Sequence, residues 1–322
     1  MPDVTPASSS NPKSPTVKSG GRLESLIRAR TFVMTAETSP PDGASSGSVL
    51  ARSGCLKGYA DAVNVTDGAS AKAHMSALAA AAILAQHGIE PVLQFTVRDR
   101  NRLALQGDLI GAAALRIHNI LCLHGDDPKN GDQPDTKAVY DIDSRALMTT
   151  ARHLRDEGKL PTGRAIDPAP QLFIGAADSP QDPKPDWMPT GLAAKADAGA
   201  DFIQTQYCFD LAMLRRYLAR LRDHGLLERL AVIVGIGPLA SAKSARWMNE
   251  KLFGVNIPEA IVTRLDKASD QRAEGRRICV ELLQELSEIE GVAGAHLMAP
   301  RQEQAIAETI AESGLLKKRS AA

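Results

Sequence analysis

The sequence lacks the features that would assign it to several broad functional classes. It has no net charge, since 38 basic and 38 acidic side chains cancel, so no global field would hold a nucleic-acid backbone or an anionic membrane surface. It has no CxxC pair: Cys55, Cys122, Cys208 and Cys279 are scattered. Three of them lie in apolar or helical stretches, which predicts buried reduced thiols in a cytoplasmic protein. No apolar stretch approaches the length of a membrane span, and no signal-peptide core follows a basic start. Residues 1–20, MPDVTPASSSNPKSPTVKSG, have little that could be buried. Their Ser- and Pro-rich composition predicts a disordered tail, and four prolines spoil the amphipathic helix a transit peptide would need. Residues 21–322 suit one large domain.

What the sequence does have is a repeated strand signal. Short apolar runs recur about every thirty residues and end in polar or charged side chains: 32–37, 62–67, 91–96, 119–124, 171–175, 201–206, 231–235 and 294–298. Apolar runs that do not alternate read as strands buried on both faces, and the intervals are long enough for crossover helices. Eight such units describe a (β/α)8 TIM barrel. Helical patterns fill 71–87, 100–115, 143–157, 211–224, 241–252 and 266–288, several closing on His-Gly or Glu-Gly, where glycine tolerates the left-handed cap.

Chemistry in such barrels sits at the carboxyl ends of the strands, which places Glu37, Thr66, Asp67, Gln94, Thr96, Asp126 and Gln206 around one mouth. Long polar connections after the fourth and fifth strands, GDDPKNGDQPDTKAVYD and DSPQDPKPDWMP, would form its walls. Glu37, followed by Thr38-Ser39-Pro40-Pro41, has two readings: a general acid, if burial raises its pKa, or a strand-end carboxylate bonded to backbone amides or an Arg. In LHGDDP either Asp126 projects into the mouth, or Asp126 or Asp127 makes an Asx turn or helix cap. His124 with Asp126 and Asp127 suggests a metal only weakly, because no further ligand spacing supports one. The Gly235-Ile236-Gly237-Pro238 turn is too short for a dinucleotide fingerprint and reads as a tight turn that lets a ligand ring approach the backbone.

Taken in order, AETSPP around Glu37, VNVTDGAS at 63–70, TVRDRNRLALQGDLIGAAALRIHNILCLHGDDP at 96–128, VYDIDS at 139–144, KADAGADFIQTQYCFD at 195–210 and GIGPL at 235–239 resemble the methylenetetrahydrofolate reductase family. The likeness runs from about residue 25 to 312, and the third and fourth blocks look closest to bacterial forms fused to, or found beside, methyltransferases. It implies interconversion of 5,10-methylene- and 5-methyltetrahydrofolate, with hydride passing from NADH or NADPH to FAD and on to the folate. By the resemblance Glu37 donates a proton to folate N10, Asp126 lies near pterin and flavin, and Gln206 and Arg301 bind substrate. Thr66, Asp67, Ala69, His124, Gly125, Asp126, Tyr140 and Lys195 form the cofactor-binding set, and no metal is implied.

The sequence also departs from the family pattern. Ser179, Pro183, Gly191 and Ala194 align with the Tyr, His, Asn and Arg that hold the adenosine and pyrophosphate of FAD in the enterobacterial type, and only Lys195 remains. Loss of the Arg removes a charge-assisted bidentate contact, which predicts loosely held or absent FAD. On the folate side Ser244 and Met248 replace the common Gln and Phe. Two alternatives stand beside the flavoenzyme: a flavin-free reductase passing hydride directly from nicotinamide to folate, and a non-catalytic folate-binding subunit of a methyltransferase. A homo-oligomer and a methyltransferase partner both remain open.

Overall fold

A computed structural model describes residues 17–321. Its strands are β1 (Val33–Thr38), β2 (Ala62–Val65), β3 (Pro91–Thr96), β4 (Asn119–Leu123), β5 (Phe173–Asp178), β6 (Phe202–Tyr207), β7 (Ala231–Ile236) and β8 (Val292–Leu297). They pair in parallel in sequence order and close through β1 and β8 into a (β/α)8 barrel. All eight strand runs expected from the sequence are present. The helices are α1 (Arg22–Arg28), α2 (Ser46–Ser53), α3 (Ala77–Gln86), α4 (Arg102–Ala114), α5 (Ser144–Glu157), α6 (Thr190–Ala198), α7 (Leu211–Asp223), α8 (Ala242–Lys251), α9 (Glu259–Lys267), α10 (Gln271–Leu286), α11 (Glu303–Ser313) and α12 (Leu315–Ala321).

Helix boundaries follow capping chemistry. The side chains of Ser76, Asn101, Asp143, Asp210, Ser241 and Asp270 each accept a first-turn N–H, of α3, α4, α5, α7, α8 and α10 respectively, satisfying donors that helix starts leave open. Gly88, Gly158 and Gly225 take positive φ just beyond α3, α5 and α7, as the His-Gly and Glu-Gly endings predict. Two expected helices are corrected. The one over 71–87 starts at Ala77, because Ser76 caps it and Ser70 and Ala71 sit at positive φ before it. The one over 266–288 divides between α9 and α10, because Asp270 caps a new start.

The barrel interior changes character with height. At the amino-terminal end Val33, Ala62, Val92, Leu121, Phe173, Phe202 and Ile233 pack with Leu23 of α1, which plugs that end. A Cβ on Gly175 would run into the Phe202 ring, so β5 needs glycine where the Phe173–Phe202 stack fills the lumen. One level up the side chains turn polar: Thr35, Asn64, Gln204 and His296 are buried together. The helices pack on the outer face through a separate apolar shell.

For the expected tail over 1–20, residues 1–16 lie outside the described residues. The last few are tied down: Lys18 pairs with Asp201, and buried Ser19 donates from its backbone N–H and its hydroxyl, each at 2.6 Å, to Glu24. Ordered chain therefore begins before Gly21.

Candidate active site

The carboxyl ends of the strands form the mouth. Glu37 is the fifth residue of β1, partly exposed, and its Oε2 accepts from Gln94 Nε2 of β3 at 2.9 Å. The same Oε2 lies 3.7 Å from His296 Nε2 of β8. Neither reading of Glu37 as bonded to backbone amides or an Arg describes these contacts: its neighbours are an amide side chain and an imidazole. Tyr207, two strands round from His296 on β6, donates to the Met298 carbonyl at 3.0 Å, and burial followed by the nearby Glu37 carboxylate pushes its phenol up.

Beneath Glu37 lies a connected polar layer. Asn64 and Gln204 exchange amide hydrogen bonds at 2.6 and 3.0 Å, Gln204 Nε2 donates to Thr35 Oγ1 at 3.1 Å, and Thr35 Oγ1 lies 2.9 Å from His296 Nδ1. Buried polar groups are retained when they satisfy one another. Sequence reasoning did not single out Thr35, Asn64, Gln204 or His296, although each is a polar residue inside an otherwise apolar strand run.

On the other side of the mouth, Asp126 Oδ2 accepts from Ser70 N at 2.9 Å, clamping the loop after β2 to the loop after β4, and Arg98 donates to the carbonyls of Gly68 and Asp126 at 3.3 and 3.2 Å. The Asx-turn alternative belongs to Asp127, which accepts from Lys129 N at 3.0 Å. Asp67 is drawn inward: it accepts from Thr96 N at 2.9 Å, Thr96 Oγ1 at 3.0 Å and Arg100. Thr66 donates to Ser39 Oγ at 3.0 Å. His124 and Tyr140 stack with ring centroids 4.4 Å apart, and with Gly125 they line a cleft that runs over Pro128, Lys129 and Thr136. Tyr140 sits at φ +40°. It is fixed there by Val139 N bonding to Arg98 O at 2.7 Å and by Asp141, which the Arg102 side chain and then its backbone N–H pull down to about 2.

The remaining expected residues are spread around the rim. Gln206 accepts from Tyr207 N at 3.0 Å at a break in the β6–β7 register. Arg301, exposed and at φ +60°, lines with Arg52 an open cleft of about 500 Å³ between α2 and α11. Lys195 donates to Ala177 O at 2.6 Å and lies 3.7 Å from Asp178. The structure thus gathers Glu37, Gln94 and His296 into one contact set and Asp126, Ala69, Gly125, His124 and Tyr140 along the opposite lip. Asp67 and Lys195 are engaged within the protein. Among the described residues no three His, Cys, Asp or Glu side chains converge as metal ligands.

Residues 22–314 match the family described as Methylenetetrahydrofolate reductase. The chain belongs to that family. Among its relatives is Methylenetetrahydrofolate reductase 2 of Schizosaccharomyces pombe, 27% identical over 78% of this chain and 40% of that protein. Another is the Caenorhabditis elegans protein named "Probable methylenetetrahydrofolate reductase (NADPH)", 28% identical over 76% of this chain and 35% of that one. The chain therefore spans well under half the length of these relatives. A Clostridium thermocellum protein whose structure binds two copies of 5-methyl-5,6,7,8-tetrahydrofolic acid shares the fold. Its TM-score is 0.53 at 14% identity, with 93% of this chain and 99% of that chain covered.

The flavin implied by the sequence resemblance would meet different surroundings at its two ends. The lip formed by Gly125, His124 and Tyr140 offers glycine backbone and aromatic faces suited to a flat ring. The diphosphate end does not fit. Ser179 lies against Gly254, where a Cβ would strike its hydroxyl, and the Lys195 ammonium is spent on Ala177 and Asp178. Ala194 offers no charge-assisted contact where the enterobacterial pattern has an Arg.

Proposed function

We propose that this chain interconverts 5,10-methylene- and 5-methyltetrahydrofolate, with the reducing hydride drawn from NADH or NADPH. The observation that carries the reading is Glu37: a carboxyl at the mouth of a reductase-family barrel, with Oε2 held by the Gln94 amide. A proton delivered by Glu37 to folate N10 breaks the C–N10 bond of the five-membered ring and leaves an N5 iminium. Hydride added to the iminium carbon then gives the N5 methyl group, so one proton and one hydride are consumed. In this reading Asp126, across the mouth on the β4 side, accepts from the pterin N–H groups, while Gln206 and Arg301 on the rim address the rest of the folate. A flavin, when bound, supplies hydride carriage between nicotinamide and folate. Four free cysteines, three of them buried with their thiols pushed up by burial, suit a cytoplasmic setting.

The poor fit of the diphosphate end favours a second reading, in which nicotinamide passes hydride to folate directly. One experiment separates the two. The purified protein is incubated with methylenetetrahydrofolate and NADH or NADPH, with and without added FAD, while its visible spectrum and the 5-methyl product are followed. Product that depends on FAD supports the flavoenzyme. Product from a colourless protein, unchanged by FAD, supports direct transfer. No product under any of these conditions contradicts both and leaves the non-catalytic folate-binding subunit.

A further inference from the structure

The polar layer beneath Glu37 has a direction that can be followed atom by atom. The reciprocal bonds between Asn64 and Gln204 fix both amides, leaving the second Gln204 N–H for Thr35 Oγ1 at 3.1 Å. With its oxygen accepting, Thr35 has its own proton to give, and His296 Nδ1 lies 2.9 Å away. The opposite tautomer, with hydrogen on Nδ1, would leave the Thr35 proton only the Ala295 carbonyl at 3.5 Å and would face the Gln204 amide at 3.4 Å, donor against donor. Nδ1 of His296 is therefore the acceptor and its hydrogen sits on Nε2, and that N–H faces Glu37 Oε2. The identity of one ring nitrogen is set by the bond the other makes.

We propose that His296 is a positioning residue for Glu37: together with Gln94 it holds Oε2 as an acceptor, so that the proton given to the folate is carried on Oε1. The proposal rests on the reading of Glu37 as the acid for N10. Gln94 already donates to Oε2 at 2.9 Å. The 3.7 Å approach of His296 is longer than a formed hydrogen bond, and catalytic hydrogen bonds commonly close only when substrate binds. Two donors on one oxygen leave the other as the site for the acidic hydrogen, and a carboxylic acid that must protonate a ligand works best when that hydrogen points at it.

The titratable groups near Glu37 are His296 of β8, Tyr207 of β6 and, acting on Tyr207, Cys279 of α10. Burial pushes both the phenol and the thiol up, so they stay uncharged through neutral pH, and Asn64, Gln94, Gln204 and Thr35 carry no charge. Hydrogen bonds to a carboxylate favour its ionised form. Removing the His296 donor therefore favours the protonated acid over the carboxylate. Turnover needs protonated Glu37, so the basic limb of the pH profile moves to higher pH while positioning is lost.

The test compares His296→Leu and His296→Gln, whose amide can replace the Nε2–H, by the pH profile of kcat for methylenetetrahydrofolate reduction. Calorimetric binding of 5-methyltetrahydrofolate is measured in parallel. For His296→Leu the expected result is a kcat lower by on the order of tenfold and a basic limb moved to higher pH, with folate affinity within about threefold. His296→Gln should keep the limb near its wild-type position. If His296→Leu fails to fold, Thr35→Val and Thr35→Ser make the same comparison through the tautomer, the Val variant moving the limb up and the Ser variant not. An unmoved limb in the Leu or Val variant overturns the proposal while leaving Glu37 as the acid. Turnover by Glu37→Gln within a few fold of wild type instead overturns the acid role, and this proposal with it.

Discussion

At the residue scale, Glu37 and Gly175 show how differently single positions constrain this barrel. Glu37 stands at a strand end where its type could be read as chemistry from sequence, because strand ends of barrels face a common mouth. Its partners could not be read, since Gln94 and His296 arrive from strands 57 and 259 residues further along the chain. The same holds for Asp67 and Lys195. Their positions suggest ligand contacts, but their charges are met by Arg100 and by Asp178 with Ala177 O, contacts set by how loops and helices fall back on the barrel. Gly175 is a packing requirement: Gly175→Ala would drive a methyl into the Phe202 ring. Overpacking of this kind costs about 1–3 kcal/mol. Thermal unfolding should show a lower Tm for this variant, and an unchanged Tm would mean that β5 or the ring can shift freely.

At the scale of elements, the eight strands were legible because each is a continuous apolar run buried on both faces. Helices α4, α5, α7 and α8 were legible to within a few residues, whereas the starts of α3 and α10 lie several residues later than expected. Helix α1 was not, as its seven residues give too short a pattern to read, yet it plugs the barrel floor through Leu23. It is held by Glu24, a fully buried carboxylate. Burial raises the Glu24 pKa, but bonds from Ser19, the Lys18 and Ser19 backbone and Arg28 outweigh this and hold it below its ordinary value of 4.5. A folded-state pKa below the unfolded one contributes stability that is present above about 4.5 and is lost as pH falls through the folded value. Acidification below pH 4.5 should therefore raise hydrogen exchange in residues 18–28 ahead of the strands. Glu24→Gln should exchange faster there already at neutral pH, with a weaker response to acid. Equal acid responses in the two proteins would remove Glu24 from this role.

The same contacts bear on the whole molecule. The bonds of Lys18 to Asp201 and of Ser19 to Glu24 tie to the barrel two residues that composition assigns to the tail. A chain beginning at Val17 should melt with the full-length protein, and one beginning at Gly21 should melt at least about 2 °C lower, because a buried carboxylate loses its donors. Coincident melting of the two shortened chains would contradict this. Around that frame the lumen passes from apolar floor to polar layer to open mouth, where Glu37 stands. The most direct test of this arrangement is rapid-quench measurement of 5-methyltetrahydrofolate formed in a single turnover by wild type and Glu37→Gln, each saturated with methylenetetrahydrofolate and reduced nicotinamide, with FAD present. The expected result is product from wild type and a rate lower by on the order of 10² to 10⁴ in the variant, with folate still bound. Product formed by the variant within a few fold of the wild-type rate would contradict the account.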